Sequence, residues 1–526
     1  MAFAVDEDEG ESMTASHIVG GRAVARNTVL NFFGQAVPLV VGFVALPFTV
    51  RGLGPDRFGI LSLSWAVLGY FSLFDFGLSR ATTKFVAEAL GKGEHIRLRG
   101  LIWTSLSFHV VLGVVGGILL AASTPLLVEH LLKIPLALRQ DARVTLLLMS
   151  ASVPVVVAAA GLRGVLEGGQ HFGLANAVKI PTTSLTYIIP AVGPPLGWGL
   201  PEVVLFMLLA KIVAAGGYFL LCLKLVPSLK SGFLMNRSEL RALVGFGGWV
   251  AVSNTIGPVL MYVDRFVIGS VLSMTAVAHY VAPYEAVTKL WILPTSAATT
   301  LLPVFSTVGT SDRASVERLF ASGAKFVLVA ITPIVMATLM LGREILMMWL
   351  GADYAAHSTL VLQILSVGIL VHSLGYVPWS LLQAYGRPDL TSKFHMAHVL
   401  PYLAVMWVLV HRMGITGAAL AWAVRGCADG VFHFCAGYRL GHLSREVFRG
   451  RALGSALWIV AGILAGLSCA AVLTDDVLLK VLTLTASLVL FATAIWRYAL
   501  DQGERKMVAS LLRTGGWPRN EPAVRR

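Results

Sequence analysis

Charge is scarce in this chain. Asp, Glu, Lys and Arg make up 13% of its 526 residues, against about 25% in an ordinary soluble domain, and the mean hydropathy is +0.77. So little charge excludes a soluble enzyme. Cysteine is sparse as well: Cys222, Cys427, Cys435 and Cys469 fall in or beside apolar runs, with no CxxC pair and no neighbouring histidine spacing. Neither a disulfide framework nor a zinc site is expected from that pattern, and no metal or cofactor is expected. The first residues lack the basic segment of a cleavable signal peptide and carry Asp6, Glu7, Asp8, Glu9 and Glu11 instead, so the first apolar run is expected to stay as a helix. Long polar stretches are missing too. No segment between apolar runs exceeds about two dozen residues, too few for an independent folded domain. None carries a DxD-type catalytic motif, which argues against a membrane-embedded glycan polymerase or glycosyltransferase.

What the chain has instead is a series of apolar runs of about 20 residues, the length that crosses a bilayer core of roughly 30 Å. Spans are read near 28–48, 58–78, 101–122, 143–162, 174–196, 202–223, 242–263, 276–305, 323–342, 357–385, 394–411, 417–438, 453–473 and 477–497. An even count places both termini on one side. With the N-terminus inside, 28 of the 41 Lys and Arg fall on the cytoplasmic side, 9 on the outer side and four within spans, a threefold asymmetry that supports N-in and C-in. The net charge of +13 is therefore mostly a topology signal, with attraction to anionic membrane lipids as a second effect, and a nucleic-acid partner loses its support.

An internal echo divides the spans. Leu166-Glu167-Gly168 ends the fourth and Leu382-Gln383-Ala384 the tenth, at an offset of 216 residues. Six spans per unit at that offset point to two parallel lobes with a cavity between them. The expected fold is an all-α polytopic membrane protein of about 14 transmembrane helices. Its expected parts are a disordered acidic tail (1–25), an N-lobe of helices 1–6 (26–223), a C-lobe of helices 7–12 (242–438), two extra helices (453–497) and a basic cytoplasmic tail (498–526).

Ionisable residues inside spans are costly, about 2.5–3.5 kcal/mol each at a helix centre, and so point to function or to pairing. Glu285 and Lys289 stand four apart in the eighth span, and Arg425, Asp429 and His433 repeat at four-residue spacing in the twelfth. Each set shares a helix face that must meet protein or water. Lys211 sits mid-span with no acid three or four residues away, while Lys179 is close enough to the inner interface to snorkel. Lys211, Lys289 and Arg425 come from both lobes, and their convergence would make a cationic chamber suited to phosphate or pyrophosphate. Asp75 and Arg80, at the inner end of the second span, and Asp264-Arg265, at the outer end of the seventh, lie at interface depth as anchors, interlobe pairs or gates. The histidines His279, His372, His395, His398 and His433 lack zinc spacing and read as packing or interface residues.

The stretches Leu53-Gly54-Pro55-Asp56-Arg57-Phe58-Gly59, Asp75-Phe76-Gly77-Leu78-Ser79-Arg80, Asp264-Arg265-Phe266-Val267-Ile268-Gly269, Tyr280-Val281-Ala282-Pro283-Tyr284-Glu285 and Gly414-Ile415-Thr416-Gly417-Ala418-Ala419 resemble the bacterial polysaccharide (O-antigen-type) flippases of the multidrug/oligosaccharidyl-lipid/polysaccharide exporter superfamily. The resemblance implies alternating-access transport of undecaprenyl-pyrophosphate-linked oligosaccharide across the bacterial cytoplasmic membrane. It also implies a cationic lumen to which Lys211, Arg265, Lys289 and Arg425 would correspond. Asp75, Asp264, Glu285 and Asp429, by their positions in or beside spans, are the candidate coupling or ion-pair acids. Implied partners are the lipid-linked glycan, membrane lipids and a polysaccharide polymerase or glycosyltransferases. A peptidoglycan-precursor flippase and a cation-coupled multidrug exporter of the same superfamily are the alternatives.

Overall fold

The computed structural model describes residues 21–73, 77–308, 312–441, 443–444, 447, 453–506 and 509, and every regular element among them is helical. Residues 1–20 of the acidic tail, Asp75, and residues 510–526 of the basic tail lie outside the described residues. The chain forms two compact units, residues 1–278 and 279–526.

The first unit holds α1 (Gly21–Leu53), α2 (Pro55–Leu73), α3 (Leu78–Gly91), α4 (His95–Pro125), α5 (Arg139–Gly168), α6 (Phe172–Val192), α7 (Leu200–Leu225) and α8 (Arg237–Val271). Gly54, at φ +74°, supplies the left-handed residue that turns α1 into α2. α4 and α5 pack backbone to backbone because Gly113 and Gly117 leave room: a Cβ on Gly113 would come 2.4 Å from Pro154 Cα. That is the small-residue packing membrane helices use in place of a hydrophobic driving force. α3 has 14 residues, about 21 Å and too short to span. It is amphipathic, burying Leu78, Ala81, Val86 and Ala89 while Glu88 and Lys92 form an exposed ion pair at 2.8 Å, and it occupies the interval the charge pattern reads as cytoplasmic.

The internal echo assigns residues from 242 to the second lobe, yet α8 lies within the first compact unit, packed on α2, α3 and α4. Polar contacts hold it there. Glu239 near its start accepts from Arg97 Nε of α4 at 3.0 Å, and Arg265 near its end reaches the Ser62 carbonyl of α2.

The second unit begins within α9 (Met274–Thr288) and continues with α10 (Ile292–Val308), α11 (Arg313–Trp349), α12 (Ala352–Leu374), α13 (Tyr376–Ala384), α14 (Pro388–Leu440), α15 (Leu453–Leu473) and α16 (Val477–Ala494). α9 and α10 are one apolar stretch interrupted by a single 3₁₀ turn, Lys289–Trp291, where the sequence reads one span at 276–305. α14 runs for 53 residues, about 80 Å of helix, more than twice a bilayer core. It is two helices joined at Gly414, whose φ of 60° and ψ of −140° are non-helical. The turn is tight: a Cβ on Gly417 would lie 2.0 Å from the Leu409 carbonyl oxygen.

Ten stretches of the described residues are long and apolar enough to cross a membrane. They cover the predicted spans except the second, fifth and seventh, which α2, α6 and α8 overlie. The chain is an all-helical membrane protein. α15 and α16 pack on α11, and two buried cations help hold them and the chain that follows. Lys480 of α16 pairs with Glu344 of α11 at 2.8 Å, and Lys325 of α11 pairs with Glu504 and donates to the Ala499 carbonyl at 3.0 Å.

Candidate functional site

The two halves of α14 lie antiparallel because Gly414 reverses the chain, and this brings residues about 30 apart in sequence face to face. Asp429, 2% exposed, sits on the second half. Its Oδ2 lies 3.4 Å from Arg425 Nη1, one helical turn back, and 3.8 Å from His372 Nε2 of α12. Its Oδ1 lies 3.3 Å from His395 Nε2 and 4.0 Å from His398 Nε2, both on the first half. His433 Nδ1 donates to the Asp429 carbonyl at 2.8 Å, so its Nε2 is the ring nitrogen that faces the Thr391 hydroxyl at 3.3 Å.

One carboxylate is thus ringed by a guanidinium and three imidazoles, with a fourth imidazole on its backbone. Aromatic rings close the cluster. The Arg425 guanidinium lies 5.4 Å from the Tyr402 ring centroid and 6.0 Å from that of Trp422, within cation–π range, and Trp291 meets His372 edge-on at 5.5 Å and Trp422 at a tilt at 6.0 Å. The tight turn Lys289–Trp291 therefore borders this cluster. Chemically, Asp429 balances Arg425, and each imidazole that takes a proton adds one positive charge to a site shielded from bulk water.

Glu285 and Lys289 form the pair their spacing suggests, at 2.8 Å and partly exposed. Arg265 and Asp264 are placed otherwise than in an open lumen. Both are buried in the first unit, Arg265 to 1% exposure and Asp264 to 0%. Arg265 donates to the Ser62 carbonyl at 3.2 Å and lies 5.3 Å from the Tyr262 ring, while Asp264 Oδ1 accepts from the Arg265 backbone N–H at 2.8 Å. The motif here fastens α8 to α2. Lys211, half-buried in the middle of α7, has no hydrogen-bond or ion-pair partner among the described residues. Lys211, Arg265 and Asp264 belong to the first unit, and Lys289, Glu285, Arg425 and Asp429 to the second.

The Arg425, Asp429 and His433 stripe is legible from its spacing, whereas the histidines His372, His395, His398 and His433 read in the sequence as packing or interface residues. The available signal was His395 and His398, three apart on one face of a span directly preceding that stripe. Lys325 and Lys480, which the charge pattern counts among the cytoplasmic and outer cations, are 3% and 6% exposed, and nothing local in the sequence pairs them with acids 179 and 136 residues away.

Fold and buried charge together define the class: a multi-pass helical membrane protein. A solved lipid II flippase, MurJ, in an inward closed conformation superposes with a TM-score of 0.68 over 90% of this chain and 99% of its own, at 13% identity. An inward-facing multidrug resistance MATE family transporter of the MOP superfamily gives 0.65 over 80% and 99%, at 15% identity. These likenesses carry the fold.

The chain belongs to the polysaccharide biosynthesis protein family, whose profile matches residues 24–308. A "Putative O-antigen transporter" of Shigella flexneri is 29% identical over 410 residues, covering 77% of this chain and 96% of the relative. A "Probable low-salt glycan biosynthesis flippase" of Haloferax volcanii is 23% identical over 413 residues, covering 78% and 82%. The protein is thus a multi-pass helical membrane protein of the polysaccharide biosynthesis protein family.

Proposed function

We propose that the protein flips lipid-linked (undecaprenyl-pyrophosphate) oligosaccharide units from the inner to the outer leaflet of the bacterial cytoplasmic membrane by alternating access. The observation that carries this reading is membership of the polysaccharide biosynthesis family, joined to a relative named for O-antigen transport that this chain matches over 96% of its length. The chain crosses the membrane fourteen times with both termini inside. Residues 26–223 and 242–438 act as the two transport lobes, and 453–497 form the appended pair of helices.

A pyrophosphate headgroup needs cations that the protein has not already neutralised. Lys211 meets that requirement in the first unit, lacking a partner among the described residues. In the second, Arg425 and Lys289 are available to the extent that Asp429 and Glu285 release them on binding, exchanging one anion for another. Glycosyltransferases supply the substrate and a polymerase or ligase consumes it. A cation-coupled drug exporter fits less well, because an acid that captures a coupling cation or a cationic drug should not already be held by bases as Asp429 and Glu285 are.

The test is surface glycan in a strain whose own copy is replaced by Lys211→Ala or Arg425→Ala. Each variant should reach the membrane at the wild-type level, and surface glycan should fall at least tenfold while lipid-linked units accumulate. Lys211→Arg should retain export. Unchanged glycan in both alanine variants overturns the assignment of these cations to the substrate.

A further inference from the structure

A second cluster of ligating side chains lies apart from the Asp429 site, at the end of the second unit where α11 turns into α12. Gly351, at φ +102°, makes that turn. Asp353 and His357 follow on one face of the first turns of α12, and His279 of α9 meets them from 74 residues away. One ligand atom from each of the three, an imidazole nitrogen or a carboxylate oxygen, lies within 4.8 Å of the other two.

His279 Nε2 is 2.8 Å from Asp353 Oδ2 and His357 Nδ1 is 3.1 Å from Asp353 Oδ1. The two imidazoles stack at 4.9 Å with only 10° between their planes, so both present nitrogen edges toward the same carboxylate. The exposures are unequal: the His279 side chain is 7% exposed, those of Asp353 and His357 56% and 59%. One ligand is therefore fixed in the protein and two stand at the surface, open to an ion from solution.

The fixed ligand is well braced. The His279 backbone carbonyl accepts the buried Ser358 hydroxyl at 2.8 Å, and the Tyr354 ring stands edge-on to the imidazole at 4.8 Å. His357 carries a supporting contact of its own. Its Nδ1 is 2.9 Å from the Asp353 backbone carbonyl, an acceptor only, so Nδ1 bears the proton and Nε2 keeps its lone pair. That is the arrangement found behind metal-bound histidines, where the second ring nitrogen donates to a carbonyl and fixes the tautomer.

We infer that His279, Asp353 and His357 form a binding site for a divalent transition-metal ion such as Zn²⁺, linking α9 to α12. Two imidazoles and one carboxylate favour Zn²⁺, Co²⁺, Ni²⁺ or Cu²⁺ over Mg²⁺ and Ca²⁺, which take oxygen ligands. Bonds of about 2.0–2.2 Å in a tetrahedral shell place ligand atoms about 3.4 Å apart, a spacing that side chains with ligand atoms within 4.8 Å of one another reach by small adjustment, with the remaining position left to water. Binding requires His279 Nε2 to offer its lone pair to the ion, with the ring proton on Nδ1 and the hydrogen bond to Asp353 given up. The site stands independently of the transport reading. In the topology proposed above it faces the outside of the cell.

The test uses tag-free full-length protein, purified in detergent and stripped with chelator, titrated with Co²⁺ and followed by visible d–d absorption, with Zn²⁺ as competitor. One cobalt per chain is expected, displaced by zinc. His357→Ala, at an exposed position where folding is not at stake, should weaken cobalt binding at least tenfold, and His279→Gln should abolish it. His411→Ala, which removes an exposed histidine of α14 outside both clusters, should bind as wild type. Equal cobalt uptake by wild type and the His279→Gln/His357→Ala double variant, or equal loss of uptake in His411→Ala, overturns the assignment.

Discussion

Asp429→Asn tests what holds the buried cluster together. The substitution keeps shape and removes one charge from a site where Arg425 Nη1 lies 3.4 Å from the carboxylate and the two residues are 8% and 2% exposed. At that separation two unit charges attract by about 5 kcal/mol at an effective dielectric of about 20. The desolvation of both groups has already offset part of this, so the expected cost is that of breaking a buried pair by removing one partner, about 3–5 kcal/mol. Neutralising both, as Asp429→Asn with Arg425→Gln, should recover most of the loss, because no ion is then left facing an absent counter-charge.

The assay is denaturant-induced unfolding of the full chain in mixed micelles, with the wild type, both single variants and the double variant completing a cycle. Asp429→Asn within about 1 kcal/mol of wild type would refute the reasoning, since it would mean that the carboxylate does little to balance Arg425. The same proteins separate structure from transport. A double variant that folds as stably as wild type yet exports no glycan places the pair in substrate handling. One that exports normally confines it to packing and removes Arg425 from the proposed headgroup site.

Two further perturbations follow from the geometry. Gly414→Ala forces a Cβ onto a residue at φ 60° and ψ −140°, a region essentially reserved for glycine; about 1–3 kcal/mol of destabilisation is expected, read as a lower midpoint in thermal unfolding of the detergent-solubilised protein, and an unchanged midpoint would show that the helical break lies elsewhere. Arg265→Lys retains the charge but gives up the planar guanidinium that both reaches the Ser62 carbonyl and packs near Tyr262; a loss of about 1.5–3 kcal/mol is expected from the charged hydrogen bond alone, and a variant as stable as wild type with impaired transport would return Arg265 to the substrate path.

That the chain is a helical membrane protein, where most of its apolar spans lie and which family it joins were all legible in the sequence. Those depend on quantities carried locally: the length of an apolar run, the scarcity of charge within it, and short turn motifs such as Leu53–Gly59. The sequence also determined the pairs that a helix makes with itself, Glu285 with Lys289 and Arg425 with Asp429, because four residues along a helix is one turn whatever the surroundings. Only the tertiary structure decided which other groups meet those residues. The carboxylate of Asp429 gathers His372 and His395 because Gly414 folds α14 back on itself and α12 packs alongside. Lys480 and Lys325 find acids more than a hundred residues distant, and His279 meets Asp353 across 74 residues.

The same limit explains Arg265. Depth in the membrane can be read from the distance to a span's end, but whether a side chain at that depth faces an open path or a neighbouring helix depends on how helices rotate against one another. That rotation is set by small-residue packing and buried polar contacts, not by hydropathy. Charge scarcity identified a membrane protein. The few charges that remain act through partners that only the packed helices bring within reach.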